Sequence, residues 1–145
     1  MIRFLKERRI TRILRGNRTP GVCCDRILDH QIAAILPRVF VGTQDSALCL
    51  DILKHHKFKH ILNHGINPSI NFNTSIKCYY MKILHIPEFG LNALFRSCIK
   101  MMNAHRNENI LIHCHVGVSR SLTIINGYLM TQEKLTYDKT YHKIK

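Results

Sequence analysis

Apolar residues fall along this chain in short runs whose spacing switches between that of strands and that of helices. Ala33 to Leu36 and Val39 to Val41 are separated only by Pro37 and Arg38, which predicts two strands joined by a tight turn. Ala47, Leu50, Leu53 and Ile52 then give one apolar face to a helix that Asp45 or Ser46 can cap. His55, His56 and Lys57 follow at its C-terminus, where the helix dipole favours basic groups. His60 to Asn63 reads as a short strand, the Asn-, Gly- and Pro-rich stretch 63–74 as a loop, and Cys78 to Leu84 as another strand, so that His85 lies just past a strand end. Leu91, Leu94, Phe95, Cys98, Ile99 and Met102 recur at helical spacing, and that helix stops before Asn107. Ile110 to Ile112 is a buried strand, and Ser119 to Met130 and Tyr137 to Lys143 are helical. Strands alternating with helices predict an α/β protein, a central mixed sheet with helices on both faces.

Composition bounds this picture. A length of 145 residues suits one domain, and no run approaches the eighteen or so apolar residues of a membrane span, so a soluble protein is expected. The net charge of +13 is uneven, with Arg3, Lys6, Arg8, Arg9, Arg12, Arg15 and Arg18 set against Glu7 alone near the start. Residues 1–27 are therefore expected to be a basic arm ending in a breaker-rich stretch at 17–21, and residues 28–145 the domain. Such an arm can contact nucleic acid, anionic lipid or an acidic protein, or act as a transit peptide. With Ile2, Phe4, Leu5, Ile10, Ile13 and Leu14 interleaved, an amphipathic helix packed on the domain or a well-solvated lead-in is the simpler reading, and a nucleic-acid partner is not expected. The six cysteines have irregular spacings and no secretory signal, which predicts free thiols and a cytoplasmic protein, with the nucleus open as a second location. His113, Cys114 and His115 are too close in sequence to converge on one zinc ion, so neither a metal nor a cofactor is expected.

The chemistry concentrates at residues 113–121, HCHVGVSRS. A strand leading into a loop and then into a helix at Ser119 or Arg120 turns backbone amides toward an anion at the helix N-terminus. The amides of His115, Val116, Gly117, Val118, Ser119 and Arg120 would ring the oxygens of a phosphate, Gly117 permitting a backbone conformation that a Cβ obstructs. Arg120 adds a planar fork able to bind two phosphate oxygens at once. Cys114 lies at the centre of this positive field, which favours a thiolate nucleophile. Ser121 can donate its hydroxyl to that sulfur when it leaves. Cys followed six residues later by Arg is weak by itself, but the other five cysteines fail the test, and this one alone has the strand, the Gly, the Ser and the helix around it.

Residues 110–130, ILIHCHVGVSRSLTIINGYLM, resemble the signature of the dual-specificity protein phosphatases, and the resemblance extends upstream through PRVFVGTQDSA and KHILN. It is similar above all to the small atypical members, particularly the kind that regulates the stress-activated protein kinase pathway. The resemblance implies the cysteine-phosphatase fold, with its phosphate-binding loop between a strand and a helix. It also implies metal-free hydrolysis of phosphotyrosine and of phosphoserine or phosphothreonine through a cysteinyl-phosphate, with phosphorylated proteins such as MAP kinase pathway kinases as partners. Phosphoinositide-directed members carry Lys in the loop where this chain has Val116 and Val118.

Two departures accompany the resemblance. Family members supply a general acid from an Asp in a pattern like Leu-Asp-x-Pro-Glu-x-x-Leu, and residues 84–91 here read LHIPEFGL, with His85 at the acid position. Three readings stay open: a slow phosphatase favouring phosphotyrosine, an ordinary enzyme using His85 or Glu88 as the acid, and a phospho-protein-binding pseudophosphatase or scaffold. Family domains also continue with a further turn and a final helix beyond the point where this sequence stops, so an uncovered apolar face is expected. Tyr79, Tyr80 and Phe89 are candidates for the mouth of the site, with core or rim packing the simpler role. Cys78 or Cys24 could act as a resolving thiol, inert burial being the simpler reading.

Overall fold

Ile110, Leu111 and Ile112 form an uninterrupted apolar run, and only a strand covered on both faces can bury all three. In the computed structural model of this protein each is at most 1 % exposed. The structure describes residues 30–65, 75–81, 91–114 and 119–144. The basic arm, His85, Glu88, Phe89, Cys23, Cys24 and loop residues His115, Val116, Gly117 and Val118 lie outside the described residues.

The strands are β1 (Ile32–Leu36), β2 (Val39–Gly42), β3 (Phe58–Asn63), β4 (Lys77–Tyr80) and β5 (Asn109–His113), in a sheet ordered β1-β2-β5-β3-β4. β1 and β2 form the antiparallel hairpin expected across Pro37 and Arg38, with Arg38 in the left-handed region at φ 63°. The remaining pairings are parallel, which makes the sheet mixed and puts β5 at its centre. The helices are α1 (Gln44–Leu48), α2 (Leu50–His55), α3 (Leu91–Ala104), α4 (Ser119–Glu133) and α5 (Tyr137–Ile144).

Three local expectations are corrected. The helix start belongs to Thr43, not Asp45 or Ser46: Thr43 is extended (φ −85°, ψ 170°) and its Oγ1 accepts from the Ser46 amide at 3.2 Å, while the Ser46 hydroxyl donates back to the Thr43 carbonyl at 2.8 Å. The single helix expected beyond it is two, because Cys49 takes an extended ψ of 103° and caps one segment while starting the next. β3 begins at Phe58 rather than His60, and its pairing with β5 slips between Phe58 and His60. That irregularity lets Phe58 and Ile61 share one face although they are three residues apart, which a regular period of two forbids.

The alternation of β5 divides the core. Ile110 and Ile112 join Val39, Val41, Leu62, Cys98, Met102, Ile124, Ile125 and Leu129 under α3, α4 and α5, whereas Leu111 joins Ala47, Leu53, Phe58 and Ile61 beneath α1 and α2. Two glycines allow close approach. A Cβ at Gly42 would lie 2.5 Å from the Ser46 hydroxyl, and one at Gly127 would lie 2.5 Å from the Phe95 ring, where α3 crosses α4.

Candidate active site

Parallel strands end together at one edge of their sheet, and ligands of α/β proteins bind outside that carboxyl edge. Here register fixes which residues arrive there: His113 of β5 pairs with Gly42 of β2 on one side and Asn63 of β3 on the other, and Asn63 pairs with Tyr80 of β4. Cys114 follows directly after His113, 4 % exposed, and α4 begins at Ser119 with Arg120 in its first turn. Of the residues expected to carry the chemistry, the structure thus places Cys114, Arg120 and Ser121 at this edge. The Ser121 hydroxyl, in the first turn of α4, is fully buried and has no hydrogen-bond partner among the described residues.

Arg120 is tied to the strand ends through residues that the sequence does not single out. Its Nη1 donates to the backbone carbonyl of His64 at 3.2 Å, and the His64 amide donates to the carbonyl of His113 at 2.9 Å, one residue before Cys114. Asn63 tightens the same corner, its Oδ1 accepting from the Gly65 amide at 2.7 Å and its carbonyl accepting from the Met81 amide at 2.9 Å. The fully buried His64 ring donates from Nδ1 to the Met81 carbonyl at 3.1 Å and turns Nε2 toward Cys98 Sγ, 4.0 Å away. Burial lowers His64 to about 4, the Met81 hydrogen bond opposing the shift and the Arg120 charge adding to it. Burial lowers His113 to about 4 as well, with His64 beside it contributing. Both imidazoles are therefore neutral near pH 7. Burial pushes the Cys98 thiol up to about 12, which keeps it a thiol.

Other expected residues go elsewhere. Tyr79 directs its hydroxyl to His105 Nε2 at 3.3 Å, committing it to the end of α3 rather than to the mouth of the site. Tyr80 stays 41 % exposed. Cys78 is exposed on β4, not buried as expected. Cys49, Cys78, Cys98 and Cys114 are all free thiols. No helix among the described residues is long and apolar enough to cross a membrane. Nothing in the sequence pointed to His64, because its role depends on β3 pairing with β5, a contact between distant segments.

A buried cysteine at the carboxyl end of the central strand, with an arginine six residues on in the first turn of the next helix, is the arrangement of the cysteine-phosphatase fold. The family is shown directly: the family model described as dual specificity phosphatase, catalytic domain, matches residues 39–145, and the chain belongs to that family. It is 32 % identical over 127 residues to dual specificity protein phosphatase 19 of Mus musculus, covering 86 % of this chain and 58 % of that protein. It is 30 % identical over 113 residues to dual specificity protein phosphatase 15 of Homo sapiens, covering 77 % of this chain and 38 % of that protein. The chain thus spans roughly two fifths to three fifths of the length of these two relatives. The crystal structure of DUSP15 superposes with a TM-score of 0.70 at 28 % identity, over 79 % of this chain and 74 % of that one. The human tyrosine phosphatase-like serine/threonine/tyrosine-interacting protein shares the fold with a TM-score of 0.68 at 22 % identity, over 78 % of this chain and 81 % of that one.

Proposed function

We propose that this domain is a protein phosphatase that removes phosphate from phosphotyrosine, and more slowly from phosphoserine and phosphothreonine, through a phosphate ester on Cys114. The observation that carries the reading is the tether of Arg120 to the His64 carbonyl and thence to His113, the last residue of the strand that leads into Cys114, since it fixes the phosphate clamp relative to the nucleophile. In the reaction the Cys114 thiolate attacks phosphorus, the S–P bond forms as the P–O bond to the side-chain oxygen breaks, and that oxygen takes a proton as it leaves. Water then attacks the phosphocysteine, and the Ser121 hydroxyl donates to the sulfur that departs. Family members give the leaving oxygen its proton from an Asp, and this chain has His85 there. A positioned acid is worth about 10²- to 10⁴-fold in rate. Its weakening penalises the alkoxide of Ser or Thr more than a phenolate, whose conjugate acid has a pKa of about 10. Tyrosine phosphate is favoured on that account.

The likeness to stress-activated kinase pathway phosphatases extends the proposal to phosphorylated MAP kinase pathway kinases as substrates, met in the cytoplasm. His85 also supports a second reading, a module that binds phosphoprotein without turning it over. Steady-state hydrolysis of a tyrosine phosphopeptide separates the two. Vanadate-sensitive turnover that disappears in Cys114→Ser is expected, whereas phosphopeptide affinity with no turnover in the parent protein would select the binding module.

A further inference from the structure

At the opposite end of the strands, two imidazole nitrogens point at one carboxylate oxygen. His60 Nε2 lies 2.6 Å from Glu108 Oε2, and His105 Nδ1 lies 3.3 Å from the same atom. The three donor atoms all fall within 4.8 Å of one another. A carboxylate oxygen and imidazole lone pairs repel unless a positive species sits at their focus, and that species is either a pair of N–H protons or a metal ion.

We propose that His60, His105 and Glu108 form a site for a divalent transition metal ion, Zn²⁺ being the best match. Two imidazoles and one carboxylate are donors that select zinc and its neighbours over magnesium or calcium, and three protein ligands leave a fourth tetrahedral position for water. The elements are suited to the task. His60 is anchored in β3, 3 % exposed, while His105 and Glu108 sit three residues apart in the turn between α3 and β5, which the Glu108 amide closes on the His105 carbonyl at 2.9 Å. When His105 binds through Nδ1, its Nε2–H faces the Tyr79 hydroxyl 3.3 Å away, the outer hydrogen bond that orients a metal-binding imidazole.

Zinc bonds of about 2.0–2.2 Å in tetrahedral array set the donor atoms about 3.3 Å apart. The His105–Glu108 separation of 3.3 Å already meets this, and the His60–Glu108 contact opens from 2.6 Å. The rings of His60 and His105 are stacked with centroids 3.7 Å apart. They must spread to about 5 Å to aim both lone pairs at one ion, with metal–nitrogen bonds of about 2.0–2.1 Å. His105 and Glu108 make that adjustment, because they are 25 % and 45 % exposed on a turn. The ion would join β3 to the end of α3, about 13 Å along β5 from Cys114 at the rise of a parallel strand.

The test is zinc titration by calorimetry of the full chain carrying Cys114→Ser, which removes the reactive thiol as a competing ligand, alongside the same chain with His105→Ala or Glu108→Gln added. The Cys114→Ser protein is expected to bind one equivalent more than either double variant, or to bind that equivalent at least about tenfold more tightly. Nuclear magnetic resonance signals of the His60 and His105 rings should shift on zinc addition in the parent. Both surface variants should melt with the parent in chelator, which separates ligand loss from misfolding. Identical zinc binding by parent and both variants, or no zinc-dependent shift of either ring, would overturn the site.

Discussion

Acid should unfold this protein through two histidines that the fold buries at its candidate active site. His64 and His113 are both held at about 4 in the folded chain against an ordinary value of 6.5, chiefly by burial. A folded-state value below the unfolded one means that the unfolded chain binds the proton first. The stability each neutral ring contributes is therefore fully present above pH 6.5 and drains away as pH falls toward 4. At pH 5 an unfolded histidine is almost wholly protonated while these two are almost wholly neutral, so each costs roughly 2 kcal/mol relative to pH 8, and the pair about 4. Total stabilities of domains are about 5–15 kcal/mol, which makes this a large share. Urea unfolding followed at pH 8, 7, 6 and 5 is the assay. With a slope of about 1–3 kcal/mol per molar, the midpoint should fall by about 1–4 M between the extremes. The His64→Leu variant isolates one contribution, and its pH-dependent loss should be about 2 kcal/mol smaller than the parent's. A midpoint that stays flat from pH 8 to 5, or equal pH slopes in parent and variant, would refute the reasoning.

Further outcomes follow from single side chains. Thr43→Ala removes the oxygen that accepts the Ser46 amide and should cost about 1 kcal/mol of unfolding free energy in urea melts, with Thr43→Ser recovering most of it. Gly127→Ala places a methyl 2.5 Å from the Phe95 ring, and the overpacking cost of roughly 1–3 kcal/mol should outweigh the gain in helix propensity of about 1, giving a net loss in the same melts. His85→Asp should raise turnover of a phosphoserine peptide by at least about 10²-fold and that of an aryl phosphate by less; equal rates for parent and variant on both substrates would contradict the assignment of the acid position.

What the sequence makes legible here is local. Ile110 to Ile112 declares a strand covered on both faces, and the stretch from Cys114 to Arg120 declares a family signature, because each reading needs only neighbours in the chain. The helical spacing from Leu91 to Met102 likewise needs nothing beyond its own period. Failures arise where the outcome depends on segments far apart or on a contest between similar groups. Thr43 wins the cap from Asp45 and Ser46 because its backbone is extended just there. The irregularity at Phe58 exists because β3 must present Phe58 and Ile61 to the same layer beside Leu111. His64 gains its hold on Arg120 through a strand pairing that brings residues 56 positions apart together. His60, His105 and Glu108 meet for the same reason.

In the proposed reaction Cys114 attacks a phosphate held by Arg120. Single-turnover reaction with a radiolabelled aryl phosphate, quenched in acid and followed by peptide mapping, tests it most directly. The account predicts one equivalent of label on the peptide containing Cys114, none in Cys114→Ser, and greatly slowed labelling in Arg120→Lys, whose point charge cannot replace the planar fork. Release of phenol without label on Cys114, or labelling that survives Cys114→Ser, would contradict it.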